Sequence, residues 1–156
     1  MSILPLKLGF FLVNSKNASS EFFIKLINTL FNCSASPLII NGDAEQLNRV
    51  FINLIKNSEE AFLDLVKKTP NFKGKIDIEI ISNNDYIVVR LTDNGTGISD
   101  TKKVMTPYFT TKTKGTGLGL PIVSKIINEH SGDFLIKNKK DGNGVNIEIS
   151  FPKINA

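Results

Sequence analysis

Across residues 43–68, nine positions (Leu47, Val50, Phe51, Leu54, Ile55, Ser58, Ala61, Phe62 and Leu65) fall on one stripe at helical spacing. A stripe this long predicts an amphipathic helix, and such a helix is stable only when another apolar surface covers it. Both ends are marked. Asp43 with Gln46 three residues later predicts a capping box, and Thr69-Pro70 predicts a stop near Lys68. The covering surface has to come from the strands that follow. In KIDIEII (75–81), Ile76, Ile78 and Ile80 alternate with Asp77 and Glu79, and YIVVRL (86–91) returns after an Asn83-Asn84-Asp85 turn. A second helix is expected from about 118 to 130. Two closing strands, 134–138 and 145–151, are joined by Asp141-Gly142-Asn143-Gly144. The fold class expected is α/β (α+β), a two-layer sandwich in which a mixed β-sheet is covered on one face by helices.

The 156 residues suffice for one domain with an appendage, and 41% hydrophobic with 22% charged residues argues against wholesale disorder. Residues 1–36 read as an N-terminal segment and 37–156 as the functional domain. The segment carries apolar patches at 4–13 and 22–31, the latter at helical spacing, and PLIIN (37–41) reads as a short strand and turn. The apolar stretch 3–13 is far too short to span a bilayer and Lys7 interrupts it, and no basic head precedes a secretory-type apolar run, so no membrane insertion and a cytoplasmic location are expected. The single cysteine, Cys33, excludes an internal disulfide and a cysteine-built zinc site. A net charge of +4 fits an anionic small ligand as well as nucleic acid. The lysines cluster between glycine motifs with no aromatic stacking platform, which disfavours a nucleic-acid partner.

Chemistry concentrates in three places. Asn53 and Asn57, one turn apart, sit at the edge of the apolar stripe. An amide carbonyl there is a hard oxygen ligand of the kind Mg²⁺ accepts beside water and phosphate, and Asn57 is the better placed; the ordinary alternative is a pair of boundary asparagines. DNGTGI (93–98) follows a strand directly. It sets the Asp93 carboxylate at the sheet edge, able to accept from an exocyclic amino group such as adenine's, and Gly95 and Gly97 would let a ligand approach the backbone; the same letters also spell a turn. GTGLGL (115–120), with Pro121 just inside the next helix, reads as a glycine loop feeding a helix N-terminus, an anion site. It lacks the Gly-Lys-Ser/Thr ending of a Walker A loop. Between the two glycine motifs Lys102, Lys103, Lys112 and Lys114 face only Asp100, which suits a cationic flap over a triphosphate or a solvated loop. The sole histidine, His130, reads as a helix-end residue ahead of Gly132.

Taken in order, FINLIKNSEEA (51–61), DNGTGI (93–98), PYFTTK (107–112) and GTGLGLPIV (115–123) resemble the N, G1, F and G2 boxes of the sensor histidine kinase catalytic domain. This family shares a wider group with gyrase, Hsp90 and MutL, and the wording TPYFTTKTKGTGLGL is most similar to nitrogen-regulation-type sensor kinases. The resemblance implies an ATP site beneath a lid. Asn57 would hold Mg²⁺, Asn53 would lie beside the phosphates, and Asp93 would bind the adenine amino group. Gly95, Gly97 and Ile98 would border the nucleotide, Phe109 would anchor the lid, and Gly115, Thr116, Gly117, Leu118 and Gly119 would wrap the phosphates, with Lys112 in contact.

Hydrolysing relatives place a glutamate where this chain has Asn53, and an amide is no base at neutral pH. The resemblance therefore implies γ-phosphoryl transfer from ATP·Mg²⁺ to a histidine on a separate phosphoacceptor (dimerisation) domain, with a response regulator further downstream. Two departures stand out. No histidine precedes His130, so self-phosphorylation in the usual way is not expected, and Met105 stands where an aromatic residue often precedes the lid proline. A non-catalytic nucleotide-binding remnant or regulatory module is the alternative, and a hydrolysing ATPase comes after it.

Overall fold

Helix α1 (Ala44–Lys68) begins where Asp43 turns its carboxylate onto the backbone N–H groups of Glu45 and Gln46, at 2.8 and 3.1 Å. Only half of the expected capping box forms. The Asp43 N–H that Gln46 should have capped donates instead to His130 Nε2 at 2.9 Å, so the start of α1 is tied to the end of a second helix. The computed structural model describes residues 6–12, 40–112, 115–140 and 143–154. Besides α1 it contains strands β1 (Leu6–Leu12), β2 (Gly74–Ser82) and β3 (Tyr86–Asp93), a 3₁₀ turn (Lys103–Met105), helix α2 (Gly119–Glu129), and strands β4 (Asp133–Asn138) and β5 (Val145–Pro152). The second N-terminal apolar patch and all but the end of PLIIN lie outside the described residues.

The strands form one sheet in the order β1-β2-β3-β5-β4. Every described pairing is antiparallel, which corrects the expected mixed sheet. The reason is topological. The crossover through α2 does deliver β4 parallel to β3, but β5 returns as a hairpin and inserts between them, pairing antiparallel with both. Asn83 closes the β2–β3 hairpin as expected, its side-chain oxygen accepting from the N–H groups of Asp85 and Tyr86. The first N-terminal patch supplies β1, which extends the sheet from Leu6 opposite Ile80 to Leu12 opposite Gly74.

Two layers result. Val50, Leu54, Ile55 and Phe62 of α1, with Val123, Ile126 and Ile127 of α2, bury against Ile76, Ile78, Val89, Leu91, Ile147, Ile149 and Phe151 of the sheet. Burying one such aliphatic side chain contributes about 1.5–3 kcal/mol, so the stripe on α1 fixes which face meets the sheet. The opposite sheet face carries charge: Arg90 bonds Glu148 at 2.7 Å and Glu79 at 3.5 Å. Both helices lie on one side, and the segment joining β3 to α2 crosses the cleft that α1 leaves at the sheet's end.

Candidate functional site

A cleft of about 490 Å³ opens between α1 and the connection from β3 to α2. Its walls include Leu54, Asn57, Ser58 and Ala61 of α1, Asp93 and Thr96 to Ile98, Lys112 and Gly115, Leu120 of α2, and Ile136, Val145 and Ile147 of β4 and β5. Of the residues singled out in the sequence, Asn57, Asp93, Gly97, Ile98, Lys112 and Gly115 line this one space. Asn53, Gly95, Phe109, Thr116, Gly117, Leu118 and Gly119 do not line it.

Asp93 ends β3 and is 5% exposed. Three donors fix its carboxylate: Ser58 Oγ reaches Oδ2 at 2.8 Å, while the N–H groups of Gly95 and Val145 reach Oδ1 at 2.9 and 3.1 Å. A carboxylate has about four lone-pair sites, so one on Oδ2 remains for a donor in the cleft. Gly144 makes the arrangement possible. Its φ is +98°, and a Cβ there would stand 2.0 Å from the Asp93 carbonyl oxygen. The loop after Asp93 is pinned at two points. Asn94 accepts from Lys75 N–H and donates to the Lys73 carbonyl, and Asn138 accepts from Ile98 N–H at 2.8 Å while donating to its carbonyl at 2.6 Å.

The other end of the cleft is more open. Asn57 Oδ1 accepts from Lys112 Nζ at 3.1 Å, and the same ammonium pairs with Glu60. Asn53 donates to the Arg49 carbonyl at 2.8 Å. The start of α2 sits on both asparagines, since a Cβ on Gly119 would lie 3.6 Å from Asn53 Oδ1 and 4.0 Å from Asn57 Nδ2. No side chain caps α2, which leaves its first N–H groups open to an anion. Tyr108 N–H donates to the Gly117 carbonyl at 3.0 Å. Gly117 has a φ of +68°, and a Cβ on it would meet the carbonyl carbon of Tyr108 at 2.5 Å, so the glycine loop and the PYFTTK segment fit only backbone to backbone. Phe109 is half-buried beside this contact, Thr116 Oγ1 accepts from Leu118 N–H at 3.4 Å, and Gly95 packs on Ala61 behind the cleft. Where the connection begins, the backbone N–H of Lys103, then that of Lys102, holds the Asp100 carboxyl below its usual range.

Sequence reasoning missed Ser58, Asn138 and the apolar wall of Leu120, Ile136, Val145 and Ile147 as parts of this site. Ser58 alone carried a signal, as a hydroxyl in an otherwise apolar stripe that must find a partner when buried. His130 fits its expected role at a helix end. Nδ1 lies 2.7 Å from the Ile126 carbonyl while Nε2 accepts from Asp43, so the proton belongs on Nδ1 and both ring nitrogens are engaged.

A helix-covered antiparallel sheet with a cleft at the end of its inner strand defines a class, and comparison with known proteins gives it a name. Residues 42–155 match the family profile described as histidine kinase-, DNA gyrase B-, and HSP90-like ATPase. The chain belongs to that family, as an ATP-binding catalytic domain of the sensor histidine kinase kind. It is 39% identical to sporulation kinase B of Bacillus subtilis over 117 residues, 74% of this chain and 26% of that protein. It is 40% identical to an NtrY-like sensor histidine kinase of Rickettsia conorii over 111 residues, 70% of this chain and 17% of that protein. The chain thus spans a minor part of these relatives' length. The catalytic domain of the histidine kinase ThkA superposes with a TM-score of 0.62 at 27% identity, covering 95% of this chain and 98% of that one. The mycobacterial sensor histidine kinase MprB, at 17% identity and a TM-score of 0.64 over 97% of this chain and 100% of that one, shares the fold. Among the described residues, no helix is long and apolar enough to cross a membrane.

Proposed function

We propose that this chain binds ATP with Mg²⁺ in the cleft and donates the γ-phosphoryl group to a histidine on a separate phosphoacceptor domain, which in turn supplies a response regulator. The observation that carries the reading is Asp93: a buried carboxylate with three protein donors and one acceptor site left beside an apolar wall. That combination suits the exocyclic amino group and flat faces of adenine. Gly97 and Ile98 would border the base, with Gly95 supporting their loop from behind.

At the other end, the open N–H groups at the start of α2, the backbone of the Gly115 to Gly119 loop and the Lys112 ammonium suit phosphate oxygens. Phe109 would anchor the segment that covers them, and Asn53 would flank the phosphates. Asn57 Oδ1 already faces a cation, the Lys112 ammonium, so it suits Mg²⁺. Bound Mg²⁺ would neutralise and align the β- and γ-phosphates. In the transfer, the bond from the γ-phosphorus to its bridging oxygen breaks, a phosphorus–nitrogen bond forms on the acceptor imidazole, and ADP departs with the bridging oxygen.

Asn53 supports transfer over hydrolysis, because an amide cannot take a proton from water. The acceptor lies outside this sequence in the reading, since both nitrogens of its one histidine are committed to backbone groups. A cytoplasmic setting, where ATP is available, belongs to the same reading. The test mixes the purified chain with Mg²⁺, ATP labelled at the γ-phosphate, and the phosphoacceptor hairpin of a related sensor kinase. Acid-labile label on the hairpin histidine is expected. ATP binding without transfer would leave a regulatory nucleotide-binding module, and steady phosphate release without a hairpin would make the chain a hydrolase.

A further inference from the structure

We infer that Ser58 is a positioning residue that sets which purine the cleft accepts, by fixing the Asp93 carboxylate so that only acceptor groups face the 6-position of the base. This rests on the proposed reading of Asp93 as the adenine contact. Ser58 projects from α1 one residue after Asn57, is 2% exposed, and lines the same cleft as Asp93. Its hydroxyl has a single hydrogen and two oxygens in reach: Asp93 Oδ2 at 2.8 Å and the Leu54 carbonyl at 3.4 Å. The shorter, charge-assisted contact takes it. With that hydrogen committed, the hydroxyl presents only lone pairs elsewhere, as does the carboxylate. A purine bearing a 6-amino group brings hydrogens to this edge and is matched. One bearing a 6-oxo group brings lone pairs against lone pairs and is rejected.

The packing explains why the rejection holds. Gly95 and Val145 occupy Oδ1, Ser58 occupies one side of Oδ2, and no buried side-chain polar atom among the described residues lacks a partner. With the base in the place of adenine, the 6-oxo group itself could be satisfied only by a water donating to both the base and the carboxylate. The Ser58 hydroxyl fills the place beside Oδ2 where such a water would sit. Removing Oγ frees an Oδ2 lone pair and opens that place at once, so loss of the hydroxyl weakens ATP binding and lets a water serve the oxo group.

The test compares ATP with inosine triphosphate, which differs at the 6-position, on the full parent chain and on Ser58→Ala. Parent binding of ATP is measured first. Its failure overturns the proposed function itself, whereas ATP binding with an unaltered preference in the variant overturns only the role of Ser58. The expected result is that the ratio of ATP to inosine triphosphate affinity falls about tenfold in Ser58→Ala. In an Asp93→Asn background, the same serine change should shift the ratio less than about twofold, because the serine acts through the carboxylate. A merely structural serine would lower both affinities in parallel and leave the ratio alone, which refutes the inference. Should Ser58→Ala fail to fold, Ser58→Cys keeps the volume while replacing a strong donor with a weak one, and the same ratio decides.

Discussion

At the sheet end of the cleft the polar contacts of Asp93 are buried and come mostly from backbone and α1, whereas at the lid end Lys112 meets Asn57 and Glu60 in the open, its side chain 41% exposed. A buried hydrogen bond to a charged group contributes about 1.5–3 kcal/mol, while an exposed ion pair contributes about 0–1 kcal/mol. One end is therefore organised before any ligand arrives, and the other can exchange its partners at small cost. Under the proposed function, a domain that selects one base yet lets a phosphoryl group leave needs that asymmetry.

The largest effect should follow from attacking the fixed end. Asp93→Asn keeps the shape but turns an acceptor toward a donor, and ATP affinity read by displacement of a fluorescent nucleotide should fall about 10- to 100-fold. Parent-like affinity would erase the distinction between the two ends. Glycine replacements sharpen it. Gly144→Ala strains a φ of +98° and drives a methyl into the Asp93 backbone, so the urea midpoint should report a loss of about 1–3 kcal/mol or more. Gly117→Ala strains the backbone comparably at the lid, and should lower nucleotide affinity more than global stability.

Lys112→Ala removes only exposed contacts. Stability should move by no more than about 1 kcal/mol while ATP affinity drops about fivefold, and ADP affinity less, by calorimetry. An equal loss for both nucleotides would move Lys112 away from the terminal phosphate. The smallest effect concerns the turn at the start of the lid connection. The Asp100 carboxyl titrates lower in the folded chain than its ordinary value of 3.8, so its contribution is full above that value and is lost as pH falls through the lower, folded one. The stability gap between parent and Asp100→Asn, from urea midpoints across the acid range, should close only there. A gap constant with pH would contradict the sign.

How much of this was legible in the sequence depends on the range of the interactions. The α1 stripe, the Asp43 cap, the β2–β3 alternation and the stop at Thr69-Pro70 are local patterns, and the helix and both strands match their expected limits within two residues. Strand β1 was visible only as an apolar patch, because its register with β2 joins residues more than sixty positions apart and nothing in LKLGFFL names that partner. The sheet is antiparallel where a mixed one is expected for the same reason: insertion of β5 between β3 and β4 is a decision of the whole topology. Motif spacing brought out Asp93, Asn57 and Lys112. It could not supply Asn138, whose clamp on Ile98 joins the end of β4 to the loop after β3, nor the Val145 N–H that a backbone turn aims at Asp93. The capping box failed at one atom because His130, eighty-seven residues away, reached the Asp43 N–H.

The most direct test is a calorimetric titration of the full, folded chain with ATP in the presence of Mg²⁺. Saturable binding of one nucleotide per chain, weakened when Asn57 or Asp93 is replaced, is the predicted result. Folded protein that takes up no heat with ATP, or binds it equally well without those two side chains, would contradict it.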